Sequence, residues 1–368
     1  MKQMQFSAIV LMTLLTLALV FLLPRWESLG TPIRRTRRFM AGATSLLAVQ
    51  FLLQYIFGFR TLGVTQAVMI NLLFFIPCSF LFYLTMVSLL RNGKIQKRDW
   101  IPGTVTWIIV ISMLVTAHLM DGQSWLAGSA EMHWAEIGCS IVYILLQTHF
   151  TVLNFRDLRR LRLRLKDYFD QDRTDMLHWM KGSILILASI SVSVPLLIYV
   201  NGWPLAVYGI LFLVSIFYLV FSFICYAVSN NSRLMFEAER NAEETEAHER
   251  MAPAMNLTDQ KRVEEAVDRW IASGKHLRSG ITVQQVADEM HVPRYQLTTW
   301  LKTTRQELFS SWLTQLRIEE AKRQMLQHPE WSNDVIAEQC GFGSRSYFQT
   351  VFRKQTGMTP SEFLKQNN

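Results

Sequence analysis

Two sets of polar side chains in the last third of the chain have the types expected of groups that read double-stranded DNA. Arginine and glutamine make paired hydrogen bonds with guanine and adenine edges in the major groove, whereas serine, threonine and lysine more often hold phosphates. Arg345 and Gln349 are therefore the strongest candidates for base contacts. A solvated helix face is the alternative, favoured for the first set and less favoured for the second. The first set is Arg294, Tyr295, Thr298, Thr299 and Lys302, and the second is Arg345, Ser346, Gln349, Thr350 and Arg353.

A helix-turn-helix is predicted to position the first set. Thr282 and Gln285 form a capping box for a short amphipathic helix, and a turn at His291 leads to a second helix over 294–302. A helix over 261–273 precedes them. Each helix carries its apolar residues on one face, which predicts that the three pack together through Val263, Ala266, Val267, Trp270, Val286, Ala287, Met290, Leu297, Trp300 and Leu301.

The same arrangement returns 50 residues later, so that Ala337 corresponds to Ala287. Asp334 is predicted to cap the first helix of this second unit, and Gly341 to make its turn. A helix over 344–355 follows, with Phe348, Val351 and Phe352 facing inward. Between the two units a single helix is predicted over 309–327. Its length of about 28 Å is close to the roughly 34 Å between successive major-groove faces.

Four stretches of this region carry a motif: WLTQLRIEEAK over 312–322, IA over 336–337, GFGSRSYF over 341–348 and VFRKQTGMTPSEF over 351–363. They resemble the DNA-binding domain of AraC/XylS-type transcription regulators, from about Gly280 to the end of the chain. The resemblance implies DNA binding by two helix-turn-helix units and control of transcription. It says nothing of the preceding residues.

The first helix-turn-helix departs from the pattern of that family at three positions. His291 replaces a turn glycine, Pro293 stands where a serine usually caps the recognition helix, and Gln306 replaces a glycine after that helix. Proline supplies no capping oxygen. The first unit is therefore expected to be less regular than the second, with a weaker role in DNA binding.

The rest of the chain has the composition of a membrane protein. Half of the 368 residues are apolar and 18% are charged, against about 25% charged in soluble domains. Roughly 17 to 25 residues of helix cross a hydrocarbon core of about 30 Å. Seven apolar runs, uncharged apart from Glu136, are about that long, which predicts a seven-helix transmembrane bundle over 6–23, 39–57, 64–90, 100–119, 134–153, 184–200 and 204–226.

The loops predict the orientation of this bundle. Those after the first, third and fifth runs hold 17 Lys and Arg residues, and the opposite side holds only Lys2 and Arg60. Because basic loops stay in the cytoplasm, the amino terminus is predicted outside and everything after Tyr226 inside. The chain is thus predicted to be all-α and multi-pass in the cell inner membrane, with a seven-span domain over 1–226, a helical linker over 227–256 and a cytoplasmic DNA-binding domain over 257–368.

Two segments next to the bundle are predicted to be helical. A polar helix is expected to continue the last run inward until Pro253, as a spacer or a dimer seam. Leu158, Leu161 and Leu165 share one face of a basic segment after the fifth run, which is expected to lie on the anionic inner leaflet. Polar residues inside the runs are interpreted as helix-joining groups rather than a ligand pocket: Gln50, Gln54, Asn71 and Gln147.

The leading functional hypothesis is a membrane-bound, signal-responsive transcription regulator. The alternative is an integral membrane transporter or scaffold with an appended regulatory or protein-interaction domain. No enzyme is predicted, since no nucleophile and base pair, metal motif or Walker loop appears, and neither a cofactor nor a metal is expected. The expected partners are double-stranded DNA and membrane lipid; RNA polymerase, a second copy of the chain and an unidentified signal ligand or membrane partner remain open.

Overall fold

The computed structural model describes residues 2–22, 31–59, 64–122, 129–170, 177–197, 203–251 and 255–367. The regular structure of these residues is helical, apart from an isolated antiparallel bridge between Phe169 and Thr282. The predicted all-α class is therefore confirmed for them. The chain divides into two compact units, the first made of Met1–Arg160 and Leu177–Arg233 and the second of Leu161–Met176 and Leu234–Asn368.

The first of the two compact units is built from long apolar helices. Those that it contains wholly or in large part are α1 (Lys2–Leu17, continued by a π-helical turn over Ala18–Leu22), α2 (Thr31–Phe57), α3 (Val64–Leu90), α4 (Lys97–Asp121), α5 (Ala130–Tyr168), α6 (His178–Leu197) and α7 (Trp203–Val228).

Six of these helices, rather than the seven predicted, are long and apolar enough to cross a membrane by length and composition. The exception is α6, whose described apolar stretch covers only His178–Val194. The predicted run continues to 200, and 198–200 lie outside the described residues. The described residues thus contain six candidate spans and one shorter apolar helix.

Buried amide side chains join the apolar helices. Gln50 and Gln54 of α2 both donate to the Asn71 Oδ1 of α3, at 2.8 and 3.2 Å. Gln147 of α5 donates to a serine hydroxyl of α3 at 2.5 Å and accepts a hydrogen bond from Ser191 of α6 at 3.1 Å. Interhelical hydrogen bonds of this kind stabilise packing between apolar helices, so the contacts favour the helix-joining interpretation.

The second compact unit contains the end of α5 and a series of shorter helices. These are α8 (Asn230–Met251, most of which belongs to this unit), α9 (Leu257–Ala272), a 3₁₀ turn (Lys275–Leu277), α10 (Val283–Met290), α11 (Arg294–Trp300, continued by a π-helical turn over Leu301–Arg305), α12 (Phe309–Gln327), α13 (Asn333–Gln339), α14 (Arg345–Thr356) and α15 (Pro360–Asn367). The bounds of α12 are those predicted.

Two predicted helix starts are corrected by the caps. The first helix of this series, α9, begins four residues before its predicted start because the Asn256 side chain caps it. The cap of α13 is Ser332, whose hydroxyl oxygen accepts a hydrogen bond from the Val335 N–H at 3.3 Å. Asp334, the predicted cap, instead binds the guanidinium of Arg345. A serine hydroxyl placed just before the first turn satisfies the otherwise unpaired N–H groups.

The predicted continuous helix from the last run into the linker is interrupted at Ser229. Its backbone N–H and its hydroxyl both bond to the Tyr226 carbonyl, at 3.1 and 2.8 Å, and α8 starts afresh at the next residue. Met235 and Ala238 of α8 are fully buried. Pro253, the predicted end, lies outside the described residues.

Candidate nucleic-acid interface

The second helix-turn-helix, formed by α13 and α14, has a tightly constrained turn. Gly341 has a φ of +75°, in the left-handed region that favours glycine. A Cβ added there would lie 2.2 Å from the Leu277 carbonyl oxygen, so only glycine fits. Ser344 then caps α14, because its hydroxyl oxygen accepts a hydrogen bond from the Tyr347 N–H at 3.2 Å. The turn and the cap together set the direction of α14.

A compact apolar core holds α14 against α12 and α13. Phe348 and Phe352, both predicted to face inward, are fully buried, and Val351 packs at the edge of the same core. Fixing one face of α14 in this way directs the opposite face outward. The other buried members of the core are Ile318, Ala321, Met325, Ile336, Ala337, Cys340 and Phe342.

The outward face of α14 carries the second predicted set. Gln349 is half-buried and the other four members are exposed. The guanidinium of Arg345 lies 3.0 Å from the Asp334 carboxylate, with the two side chains 53% and 61% exposed. An ion pair this exposed contributes little stability, so Arg345 can exchange Asp334 for a base or a phosphate at small cost. The structure therefore brings this set together on one accessible surface.

The first helix-turn-helix, formed by α10 and α11, is less regular. The capping box at its start is confirmed, since Thr282 and Gln285 bond to each other's backbone N–H groups. His291 and Gln306 have φ values of +54° and +56°, and both stand where the AraC/XylS resemblance implies glycine. Left-handed backbone costs about 1 to 2 kcal/mol for a residue with a side chain. Pro293 occupies the cap position of α11 without a side-chain hydrogen bond.

The first predicted set is not an open surface. Thr298 is only 2% exposed, and its hydroxyl donates to the carbonyls of Arg294 and Tyr295, at 3.2 and 3.1 Å. Arg294, Tyr295 and Thr299 are half-buried, and Lys302 is exposed. The predicted inward residues of this helix, Leu297, Trp300 and Leu301, are buried as expected.

Two segments that the sequence did not place near α11 account for this burial. The Arg294 guanidinium donates to the Asn241 carbonyl of α8. The Lys302 ammonium lies 3.4 Å from the carboxylate of Asp167, at the end of α5. Asn241 in turn donates to the Tyr168 hydroxyl at 3.0 Å. These groups surround a cavity of about 200 Å³ whose lining also includes Thr298. All of these residues belong to the second compact unit.

A buried ion pair fastens the end of α5 to the domain. Arg317 of α12 is fully buried, and both of its terminal nitrogens lie 3.1 Å from the Asp170 carboxylate. The Arg317 Nε donates to the His276 carbonyl at 2.9 Å, and the same Asp170 oxygen accepts from the Gly280 N–H at 2.8 Å. Burial lowers the pKa of Arg317 while the Asp170 charge acts against that change. Because arginine stays protonated in proteins, the pair is ionic.

Sequence reasoning missed this pair, since its members are 147 residues apart. The signals were present separately. Arg317 lies in the motif over 312–322, and on its own it appears as one more charge on an amphipathic helix. Asp170 follows a predicted basic segment.

Comparison with known proteins places a recognised domain over these helices. Residues 286–366 match the family described as "Helix-turn-helix domain". The chain is 47% identical over 60 residues to "Uncharacterized transcriptional regulatory protein YesN" of Bacillus subtilis, covering 16% of each chain. It is 31% identical over 93 residues to "Regulatory protein PocR" of Salmonella typhimurium, covering 25% of this chain and 30% of that one.

A third relative is "HTH-type transcriptional activator RhaR" of Escherichia coli, 29% identical over 92 residues and covering 25% of this chain and 32% of that one. The chain thus spans less than a third of the length of these curated relatives. No solved structure matches it. The carboxyl-terminal region is an AraC-type helix-turn-helix domain, and the helices before α10 lie outside the residues 286–366 that match the family.

Proposed function

We propose that the chain is a membrane-bound, signal-responsive transcription regulator whose carboxyl-terminal domain binds promoter DNA sequence-specifically. The observation that carries this proposal is the exposed polar face of α14 on a helix-turn-helix with a glycine turn, a serine cap and a closed core. Similarity to proteins named as transcription regulators supports it.

The geometry suits entry of α14 into a major groove. Arg345 and Gln349 are one helical turn apart on its outer face, the spacing at which two side chains reach neighbouring base pairs. Ser346, Thr350 and Arg353 flank them and are assigned to phosphates. From 257 to 368 there are 15 Lys and Arg residues against 13 Asp and Glu. An excess of only two positive charges gives weak non-specific binding, so base contacts or a second copy of the chain must supply much of the affinity.

The apolar helices are assigned to the cell inner membrane, with the helix-turn-helix domain in the cytoplasm, an arrangement that requires α6 to cross together with the six candidate spans. Six helices have the length and composition of spans, and several of their large side chains are exposed, as is typical of helices that face lipid: Phe21, Leu119, Trp134 and Trp203. The 17 to 2 division of basic residues supports the cytoplasmic side for the segments that follow the first, third and fifth predicted runs. Control of transcription makes RNA polymerase a further proposed partner.

Selection of duplexes from a random-sequence library by the full chain in lipid nanodiscs tests DNA recognition. We expect enrichment of a defined sequence, and Gln349→Ala should relax the preference at one base position. Gln355→Ala, an exposed glutamine near the end of the same helix, is the matched control and should leave the sequence unchanged. If the full chain enriches no sequence, the domain has become a protein-interaction module and the regulator proposal fails.

Fusions to alkaline phosphatase test the membrane assignment. The enzyme should be active after Gly122 and inactive after Lys97 and after Asn368, because it folds only outside the cytoplasm. A fusion after Gly202 reports which side the chain occupies once it has passed α6. Activity after Asn368 would separate the helix-turn-helix domain from DNA and overturn the proposal.

A further inference from the structure

We propose that residues Leu161–Asp170, here called the strap, cover the first recognition helix α11 and withhold it from DNA until a signal withdraws them. The inference rests on the proposed function of the domain and adds the regulation of its first DNA-reading helix. The strap is the last part of α5 together with the two residues that follow.

Buried contacts fasten the strap to the domain. Leu161 and Leu165 are buried, although the sequence placed their face on the lipid leaflet. Asp170 forms the buried ion pair with Arg317, and its backbone N–H donates to the Ile281 carbonyl at 3.2 Å. A basic amphipathic segment that buries its apolar face in protein is thereby removed from the membrane surface. The strap is therefore part of the folded domain.

Charge complementarity directs the strap to the DNA-reading face of α11. Asp167 pairs with Lys302. Burial lowers the pKa of Arg294, and the carboxylates of Glu244, Asp167 and Asp288 act against that change. Three carboxylates thus face a cation that the sequence assigns to DNA. Acidic groups in this place neutralise the positive charge that would otherwise attract phosphates.

The strap and α8 act together as one cover. The Arg164 guanidinium lies 2.9 Å from the Glu246 carboxylate, and Tyr168 accepts a hydrogen bond from Asn241 at 3.0 Å. With Thr298 buried beneath them, a recognition helix covered in this way cannot enter a major groove, which admits a helix only with its base-reading face bare.

The cover has features that permit release. The cavity of about 200 Å³ lies between the strap, α8 and α11, so the cover does not close completely on the recognition helix. The strap is continuous with α5, one helix of 39 residues from Ala130 to Tyr168 that is also a candidate span. A shift of α5 along or about its axis would therefore move the strap directly, whereas the path through α7 is interrupted at Ser229.

Cysteine reactivity in the full chain, held in lipid nanodiscs, tests the cover. Thr298→Cys and Thr350→Cys place a thiol at a buried position of α11 and at an exposed position of α14. Both are made with Cys225→Ser, since Cys225 is an exposed native thiol. We expect a maleimide to react rapidly with the Thr350→Cys variant and slowly with the Thr298→Cys variant.

Loosening the strap should then expose one thiol only. Asp167→Asn removes a pair that is partly exposed, and we expect a rise of about two- to fivefold in the rate for Thr298→Cys. Asp170→Asn breaks the buried pair and should raise that rate more than tenfold. Asp268→Asn, the same change at an exposed position of α9, is the matched control and should change neither rate. Equal rates for Thr298→Cys with and without Asp167→Asn would overturn the cover.

Binding to a random-sequence duplex separates this inference from the proposed function. Asp167→Asn frees Lys302 for a phosphate, so the slope of log affinity against log salt should steepen by about one. Exposure of the Thr298→Cys thiol without duplex binding by any variant would keep the cover and reject DNA binding. Duplex binding with an unchanged slope and an unchanged thiol rate would keep DNA binding and reject the cover.

Discussion

The two helix-turn-helix units share a pattern of apolar residues but differ in what their recognition helices can reach. In the second unit, α14 is fastened by Phe348 and Phe352 and carries four exposed polar residues on its outer face. In the first, the corresponding face of α11 lies under Asn241 and Asp167, and its central threonine, Thr298, is buried. One unit is open to DNA in this structure, and the other is occupied by parts of its own chain.

The difference follows the local chemistry of the turns. The open unit has a glycine at its left-handed position and a serine cap. The covered unit has His291 and Gln306 at left-handed positions and Pro293 at its cap. Elements that move during regulation are drawn from the less stable parts of a protein. The first helix-turn-helix has the weaker local structure, and it is the one whose stability depends more on contacts with other parts of the chain.

The turn of the open unit should be the most sensitive position. Gly341→Ala should lower the free energy of unfolding of the carboxyl-terminal domain by at least about 2 kcal/mol, because left-handed strain adds to a clash with a backbone carbonyl. The matched control is Gly274→Ala, at a φ of +70° with no heavy atom within 4 Å of the added Cβ. Denaturant-dependent hydrogen exchange of the full chain gives both values. Equal costs would show that the Leu277 carbonyl imposes no constraint.

Arginines of the two recognition helices should differ in their effect on DNA affinity. Arg345→Ala should weaken binding to the selected sequence by about 1 to 3 kcal/mol and largely spare random duplexes. Arg294→Ala should weaken it less in the full chain, because the Arg294 guanidinium is engaged by Asn241. Fluorescence anisotropy with labelled duplexes measures both. A uniform loss on every duplex would reassign Arg345 to a phosphate, and equal losses for the two variants would remove the contrast between the helices.

Relieving the strain in the covered unit should have a smaller and opposite effect. His291→Gly should raise the free energy of unfolding by about 0.5 to 1 kcal/mol, since the left-handed strain that it removes exceeds the extra chain entropy of glycine. Ser273→Gly is the control, at an ordinary φ of −76°, and should not stabilise. Stabilisation by both variants would point to an effect unrelated to backbone handedness.

Acidification should destabilise the carboxyl-terminal domain through His276. Burial lowers the pKa of this imidazole; Arg317 acts in the same direction, and Glu320 and a backbone hydrogen bond to Ile271 oppose it. The folded protein thus disfavours the charged form. The contribution of the neutral imidazole to the free energy of unfolding is fully present above the unfolded pKa of about 6.5. It is lost as the pH falls through the lower pKa of the folded protein. The Tm of the carboxyl-terminal domain should decrease over that window, and His276→Gln should reduce the decrease. A pH dependence identical in both proteins would contradict this origin.

Local patterns predicted most of the helix-turn-helix domain. The apolar faces of α9 and α10 and the bounds of α12 follow from a periodicity of 3.6 residues, which any buried amphipathic helix must show. His291 and Gln306, which stand where the AraC/XylS resemblance implies glycine, both have left-handed backbone. The exposed face of α14 followed from the burial of its opposite face. Each of these features depends on residues close together in the chain.

The features that were missed depend on distant partners. The strap has the sequence of a basic surface segment, and its leucines suit lipid as well as protein. Its position is decided by Asp170 and Arg317, which the chain brings together across 147 residues. The span count differs at α6 for another reason, because the predicted run over 184–200 extends past the last described residue of that helix, Leu197.

The ion pair between Asp170 and Arg317 also has a consequence for biosynthesis. Translation at about 5 to 20 residues per second brings Asp170 out of the ribosome roughly 7 to 30 seconds before Arg317. The strap is therefore already made when α11 and α12 emerge, so the proposed cover is available to the first helix-turn-helix before that helix-turn-helix can bind DNA. A carboxyl-terminal fragment made without residues 161–170 would lack that protection from the moment of its synthesis.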